Sequence, residues 1–166
     1  MTSPDFEPDS PNYGHPSAGS PQWPQTQPGD LLPRFFARLI DGILVSIVAF
    51  FLSMFIFDPE YQVLVTGLFS GVLTFGYFVL FEVTYGATPG KKLLGLAVHG
   101  PNGATKPDLK QSAIRNSFTL LAVIPYYIGS LLAFIAYVVI AVTINASPSK
   151  QGKHDELAGG TQVIKG

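Results

Sequence analysis

The chain has no cysteine. Disulfides, thiolate metal sites and thiol nucleophiles are therefore excluded, and the redox compartment stays open. Charge is scarce as well: 13% of residues are Asp, Glu, Lys or Arg, against ~25% in an ordinary soluble domain. What charge there is falls unevenly. No Lys or Arg occurs between Leu39 and Gly90, whereas five of the ten cations (Lys91, Lys92, Lys106, Lys110 and Arg115) lie between residues 84 and 116. Basic residues beside apolar runs, without aromatics interleaved on one face, do not make a nucleic-acid surface. His15, His99 and His154 are scattered without ligand spacing, so no metal and no other cofactor is expected. No grouping of Ser, His and an acid suggests hydrolysis, and an enzyme is not expected.

Apolar residues are abundant instead, at 47%. Leu39 to Phe57 is a run of them, interrupted near its start by Asp41 and preceded by Arg34 and Arg38. At ~1.5 Å per residue a helix of this length nearly crosses a ~30 Å hydrocarbon layer. A first transmembrane helix is predicted from about Arg34 to Phe57, with Pro33 at its first turn and Asp30 just upstream, where an acid suits the helix dipole. The short acidic connection Asp58-Pro59-Glu60-Tyr61 sends the next span, Gln62 to Val83, back antiparallel, with Glu82 at its end. Gly67 and Gly71 stand at i, i+4, matched by Gly42 and Ser46 on the first helix, and small residues so spaced predict close helix packing in lipid. Ser117 to Ile144 is a third apolar block containing Pro125. Either it is one kinked helix, or a short segment ending at Pro125 is followed by a full span from Tyr126 to Asn145. The second alternative is preferred, because it keeps Lys150, Lys153 and Lys165 on the cytoplasmic side.

Residues 1–33 hold eight of the fourteen prolines and are expected to be a disordered cytoplasmic tail. They contain no apolar run after a basic start, so no cleaved signal peptide is expected. Residues 34–166 then form one membrane domain. Lys- and Arg-rich loops stay inside, which places Thr84 to Gln111, and the amino terminus with it, in the cytoplasm. Leu93 to Val98 followed by Pro101-Asn102-Gly103 reads as a short strand and a turn. The fold class expected is an all-α membrane protein of the plasma membrane: a bundle of three to four transmembrane helices with a disordered N-terminal arm and small polar cytoplasmic elements.

An ionised carboxylate one turn inside the bilayer costs at least ~2.5 kcal/mol unless it is compensated. Arg34, Arg38 and Asp41, spaced by four and three, share one helix face. Glu82 reaches the same depth on the returning helix. The compensating partner of Asp41 is therefore expected to be Arg38 or Arg34, with Glu82 sharing the cations. Such a cluster is either a clasp that fixes helix packing or a cation or proton site built on Asp41 and Glu82. Gly86-Ala-Thr-Pro-Gly90-Lys91-Lys92 departs from a phosphate-binding loop in its spacing and in lacking Ser or Thr after the lysine. Its Pro-Gly turn is expected to bring Lys91 and Lys92 to anionic headgroups, each contact worth ~1 kcal/mol.

Three stretches together resemble the RDD family of membrane proteins. They are Arg34-Phe-Phe-Ala-Arg-Leu-Ile-Asp41, Thr88-Pro-Gly-Lys-Lys-Leu-Leu-Gly-Leu-Ala-Val98 and His154-Asp155-Glu-Leu-Ala-Gly-Gly-Thr161-Gln-Val163. By position the resemblance puts the family arginine on Arg34, with Arg38 as a second candidate, and the two aspartates on Asp41 and Asp155. Gly159-Gly160-Thr161 carries one glycine more than the family's usual Ala-Gly-Thr. Asp155, in the cytoplasm, is expected to reach Arg34 or the Lys91-Lys92 pair, and Thr161 to Lys165 to pair as a strand with Leu93 to Val98. The resemblance implies a membrane protein of undefined activity, with cation or proton exchange suggested for a few members. A scaffold or accessory subunit is the leading expectation and a small secondary transporter the alternative. The partners expected are the lipid bilayer and either other membrane proteins or further copies of the chain.

Overall fold

The computed structural model describes residues 27–56, 62–124 and 128–166, with the backbone alone for residues 55–56 and 62–69. In chain order the elements are β1 (Gln27–Pro28), α1 (Leu31–Ile56), α2 (Gln62–Tyr85), α3 (Pro89–Leu93), β2 (Leu96–His99), a 3-10 turn (Pro101–Gly103), α4 (Leu109–Asn116), a 3-10 segment (Ser117–Val123), α5 (Ile128–Ala146), α6 (Lys153–Leu157) and β3 (Gln162–Lys165).

Two helices, α1 and α5, are long and apolar enough to cross a membrane. In each, only 17% of the most apolar stretch is buried; a core helix of a water-soluble domain would be mostly covered. Leu39, Ile43, Ile47 and Phe50 on α1 and Leu131, Phe134 and Val142 on α5 stand exposed. Apolar surface of that extent is stable only against lipid or another apolar partner. The α2 helix runs antiparallel to α1: its Tyr77 meets Asp41, and α3, which follows at once, packs on Ala37 near the start of α1.

Of the glycines expected to pair these two helices, Gly71 and Gly42 do not face each other. A methyl group on Gly71 would fall 2.6 Å from Val123 Cγ2, so α2 uses that glycine to admit the 3-10 segment, whereas the space beside Gly42 is open. The physical reason is that the 3-10 segment wedges against α2 where a flat helix pair would otherwise close. Gly67 lies outside the residues whose side chains are described, as do the connection from Asp58 to Tyr61 and Pro125. The third apolar block is divided, the 3-10 segment leaving at Ile124 and α5 beginning at Ile128. Both ends of the block meet one polar layer. The Phe118 ring lies 6.0 Å from that of His154, and the Lys153 amide donates to Thr143 Oγ1 at 3.2 Å near the end of α5.

That polar layer contains a three-stranded antiparallel sheet of order β1-β3-β2. Val98 pairs with Val163, and His99 with Gln162. The strand expected over residues 93–98 is thus shifted to Leu96–His99, because α3 takes up Leu93. Alternation along β2 turns Leu96 and Val98 inward, where they meet Val163 and Ala37 of α1 in a small core. Gln27 and Pro28, inside the arm expected to be disordered, form β1; Pro28 pairs with Ile164 at the sheet edge, where the missing proline N–H is tolerated. The tail before Gln27 lies outside the described residues. The additional glycine has a local use: Gly159 and Gly160 have φ of 88° and 92°, and this left-handed pair turns the chain from α6 into β3.

Candidate functional site

Four buried ionisable groups on the polar side of the helices, Asp41, Glu82, Lys91 and Asp155, are organised by one tetrapeptide and two arginines. Thr88 caps α3, accepting from the Lys91 amide at 3.4 Å, and Pro89 occupies the first helical position, where no backbone donor is needed. This turn places Thr88, Gly90 and Lys91 between α1 and α2. The Thr88 hydroxyl donates to Asp41 Oδ2 at 2.5 Å, the Gly90 amide donates to Asp41 Oδ1 at 2.8 Å, and the Tyr77 hydroxyl donates to the same oxygen at 2.7 Å. Gly90 has to be bare, since a β-carbon there would run into the Ala37 carbonyl and the Asp41 carboxylate. Asp41 is fully buried.

The arginine clasp expected around Asp41 is absent among the described residues. Three neutral donors satisfy this carboxylate. Hydroxyl and amide dipoles stabilise a buried charge without adding a second buried ion, whose desolvation would have to be met separately. Arg38 stacks instead on Phe78, with its guanidinium carbon 3.5 Å from the ring centroid, and has Phe118 and Tyr137 at 5.2 and 5.8 Å. Its Nη1 donates to Asn116 Oδ1 at 3.3 Å. No carboxylate is paired with it among the described residues.

Glu82 is also fully buried, but its partners are ionic. Lys91 donates to Oε1 in a very short contact, Arg115 Nη1 lies 3.9 Å from the same oxygen, and Ser112 and Asn116 donate to Oε2 at 3.0 and 2.9 Å. The expectation that Lys91 reaches lipid headgroups is corrected by this geometry. Lys91 is 6% exposed and points inward to Glu82, because a buried carboxylate at the end of α2 needs a cation more than the surface does. Burial pulls its ammonium down to about 8, against the opposing attraction of Glu82. Lys92 is exposed and lies 4.8 Å from the Tyr85 ring centroid.

Asp155 forms a third centre at the start of α6. Arg115 Nε lies 3.0 Å from Oδ1 and Arg34 Nη1 3.5 Å from Oδ2, while the Gly152 amide donates at 3.1 Å and the Thr161 hydroxyl at 3.2 Å. Burial would raise this carboxyl; Arg115 leads the interactions that outweigh it and hold it below its ordinary value. Arg34 also donates to the Gly29 and Val163 carbonyls at 2.9 and 3.2 Å, joining β1, β3 and α6 to the first turn of α1. Of the two arginines considered for the family role, Arg34 is thus the one that meets an aspartate, and it meets Asp155, not Asp41.

Among the described residues Asp41 and Glu82 share no ligand, and the two acids that the alternative to a clasp would put in one ion site belong to separate networks joined through residues 88–91. Arg115, which bridges Glu82 and Asp155, carried no role in the sequence reading. The signal for it was Ser112, Arg115 and Asn116 at i, i+3 and i+4, a polar stripe on one face of α4. Among the described residues no group of three or more His, Asp or Glu is placed to hold a metal ion.

Apolar helices exposed on their flanks, closed at one end by buried ion pairs and a small sheet, define a helical protein of the membrane class. The chain belongs to the RDD family, whose model matches residues 28–159. Neither the curated proteins nor the solved structures contain a match to it.

Proposed function

We propose that the chain is a multi-pass plasma-membrane protein without enzymatic activity, acting as a scaffold or accessory subunit through other membrane proteins or further copies of itself. In this reading α1, α2 and α5 lie in the bilayer, Ser117–Val123 is a re-entrant segment, and the sheet and both ends of the domain face the cytoplasm. The buried charges are a clasp. They lock α1, α2, α4 and α6 into one register and leave the apolar flanks free for neighbours in the membrane.

The observation that supports this reading is that, among the described residues, every buried carboxylate is saturated by groups of the chain itself. Asp41 accepts from three neutral donors, and Glu82 and Asp155 each hold two cations within ion-pair distance, Arg115 being common to both. A carrier needs carboxylate oxygens that exchange protein ligands for the transported ion. The test is sodium and proton flux in proteoliposomes containing the full chain. Flux at the level of empty liposomes is expected, together with a loss of detergent stability in Asp41→Asn. Ion-driven flux abolished by Asp41→Asn in a protein that stays folded would overturn the clasp and restore exchange at Asp41.

A further inference from the structure

Between α1 and α5 runs a groove of about 1070 Å³. Its walls are apolar, with Leu39, Ile43 and Phe50 on one side and Phe134 and Val138 on the other. Its inner end is cationic: Arg34, Arg38, Lys91 and Arg115 all line it. From Arg38 to Phe51 the groove follows α1 for thirteen residues, about 20 Å at ~1.5 Å per residue. Half of a ~30 Å hydrocarbon layer, the depth of one leaflet, is of the same order.

The cations at that end are not fully used. Arg34 Nη1, Arg38 Nη2 and Arg115 Nη1 are buried and have no hydrogen-bond partner, although Arg34 and Arg115 are 9% and 4% exposed as whole residues. Arg34 and Arg115 have carboxylates at 3.5 and 3.9 Å from these atoms, in ion-pair range but too far for a hydrogen bond; Arg38 Nη2 has neither. Four cations face two ion-paired carboxylates, Glu82 and Asp155; Asp41 is held by neutral donors, Asp30 beside Arg34 is exposed, and Arg38 pairs with no carboxylate among the described residues. A buried guanidinium N–H without an acceptor is costly, and a group that supplies an anionic oxygen there would remove the cost.

We propose that this groove holds one anionic phospholipid of the inner leaflet, its phosphate against Arg38, Arg34 and Arg115 and an acyl chain between α1 and α5. The charge at the floor selects this occupant over a second copy of the chain. A spanning helix from another copy would bring no free carboxylate to that cationic end, because Asp41 and Glu82, the acids of α1 and α2, are buried within their own networks and α5 has none. Basic pockets between membrane helices on the cytoplasmic side suit anionic headgroups by charge and depth. The inference depends on the membrane placement proposed above but not on the absence of ion transport, so lipid binding and flux are scored separately.

The full chain, stripped of bound lipid in detergent, is titrated with phosphatidylglycerol or phosphatidylcholine, and adducts are read by native mass spectrometry. A saturable one-to-one adduct with phosphatidylglycerol is expected. Arg38→Gln should weaken it about tenfold, equivalent to ~1.4 kcal/mol. Because Arg38→Gln also removes the stack on Phe78, a second variant is needed. A β-carbon on Gly42 meets nothing within 4 Å, so Gly42→Leu should project into the groove and displace the lipid while the protein melts no earlier than the wild type. Equal adducts with both phospholipids, or a phosphatidylglycerol adduct unchanged in both variants, would overturn the proposal. So would oleate displacing phosphatidylglycerol from the groove, or a dimer that excludes the lipid and is lost in Gly42→Leu.

Discussion

Replacing Asp41 by alanine removes the acceptor that the Thr88 hydroxyl and the Gly90 amide share. Both donors are buried, and each unmade bond costs about 1–3 kcal/mol. Tyr77 is half-buried and can turn its hydroxyl outward, so it adds little. Against this, the fold no longer desolvates a carboxylate, and the net loss expected is about 2–4 kcal/mol. Asp41→Asn should cost less, about 1–2 kcal/mol, because its Oδ1 can keep Tyr77 and Gly90 while its amide donates to Thr88, and only the charge assistance is lost. The assay is denaturation in mixed micelles, run as two double-mutant cycles. Asp41→Ala should couple to Thr88→Val by about 1 kcal/mol or more, and to Arg38→Gln by no more than ~0.5 kcal/mol, since the arginine and the aspartate share no partner. The reverse pattern, strong coupling to Arg38 and additivity with Thr88, would refute the reasoning.

Glu82→Gln leaves Lys91 and Arg115 without their shared counter-charge, and breaking a buried ion pair from one side should destabilise the protein by about 3–5 kcal/mol in the same denaturation assay. Gly90→Ala drives a methyl group into the Ala37 carbonyl and the Asp41 carboxylate, an overpacking worth about 1–3 kcal/mol. Gly42→Ala, which points into open space within a helix, should instead stabilise by up to ~1 kcal/mol, and comparing the two melting temperatures checks both. Burial pulls His154 from 6.5 down to about 3, so it is neutral in the fold and takes up a proton on unfolding. Stability is then complete above about pH 6.5 and declines as pH falls toward 3. His154→Phe should flatten the melting curve between pH 7 and pH 5, where Asp155, with an ordinary value of 3.8 lowered further, does not yet contribute.

The long elements were legible because apolar run length and proline position act locally. The run after Arg38 and the break near Pro125 correspond to α1 and to the division between Ile124 and Ile128. The pairing of β2 with β3 was legible from two short alternating runs, although the third strand, Gln27–Pro28, lay inside a proline-rich stretch that composition assigns to disorder. The partners of Asp41 were not legible, and the reason is physical. Charge arithmetic looks for a cation, whereas Tyr77, Thr88 and a glycine amide carry no charge, and a turn 47 to 49 residues along the chain delivers two of the three donors. Arg38 was misread for the same cause, since nothing in the spacing to Asp41 reveals that Phe78 offers its guanidinium a ring face at 3.5 Å. Of the arginines and aspartates that the resemblance singled out, Arg34 and Asp155 do meet, brought together by the sheet through bonds from Arg34 to Gly29 and Val163.

Since the chain has no native cysteine, single cysteines placed at the exposed positions Lys110 and Ser149 report on the polar layer without background. With α4, α6 and the sheet on one side of the bilayer and that side cytoplasmic, both positions should react with a membrane-impermeant maleimide only after the cells are opened. Labelling of either one in intact cells would separate the two halves of the buried ion-pair network across the membrane or turn the whole layer outward, and would contradict the arrangement proposed.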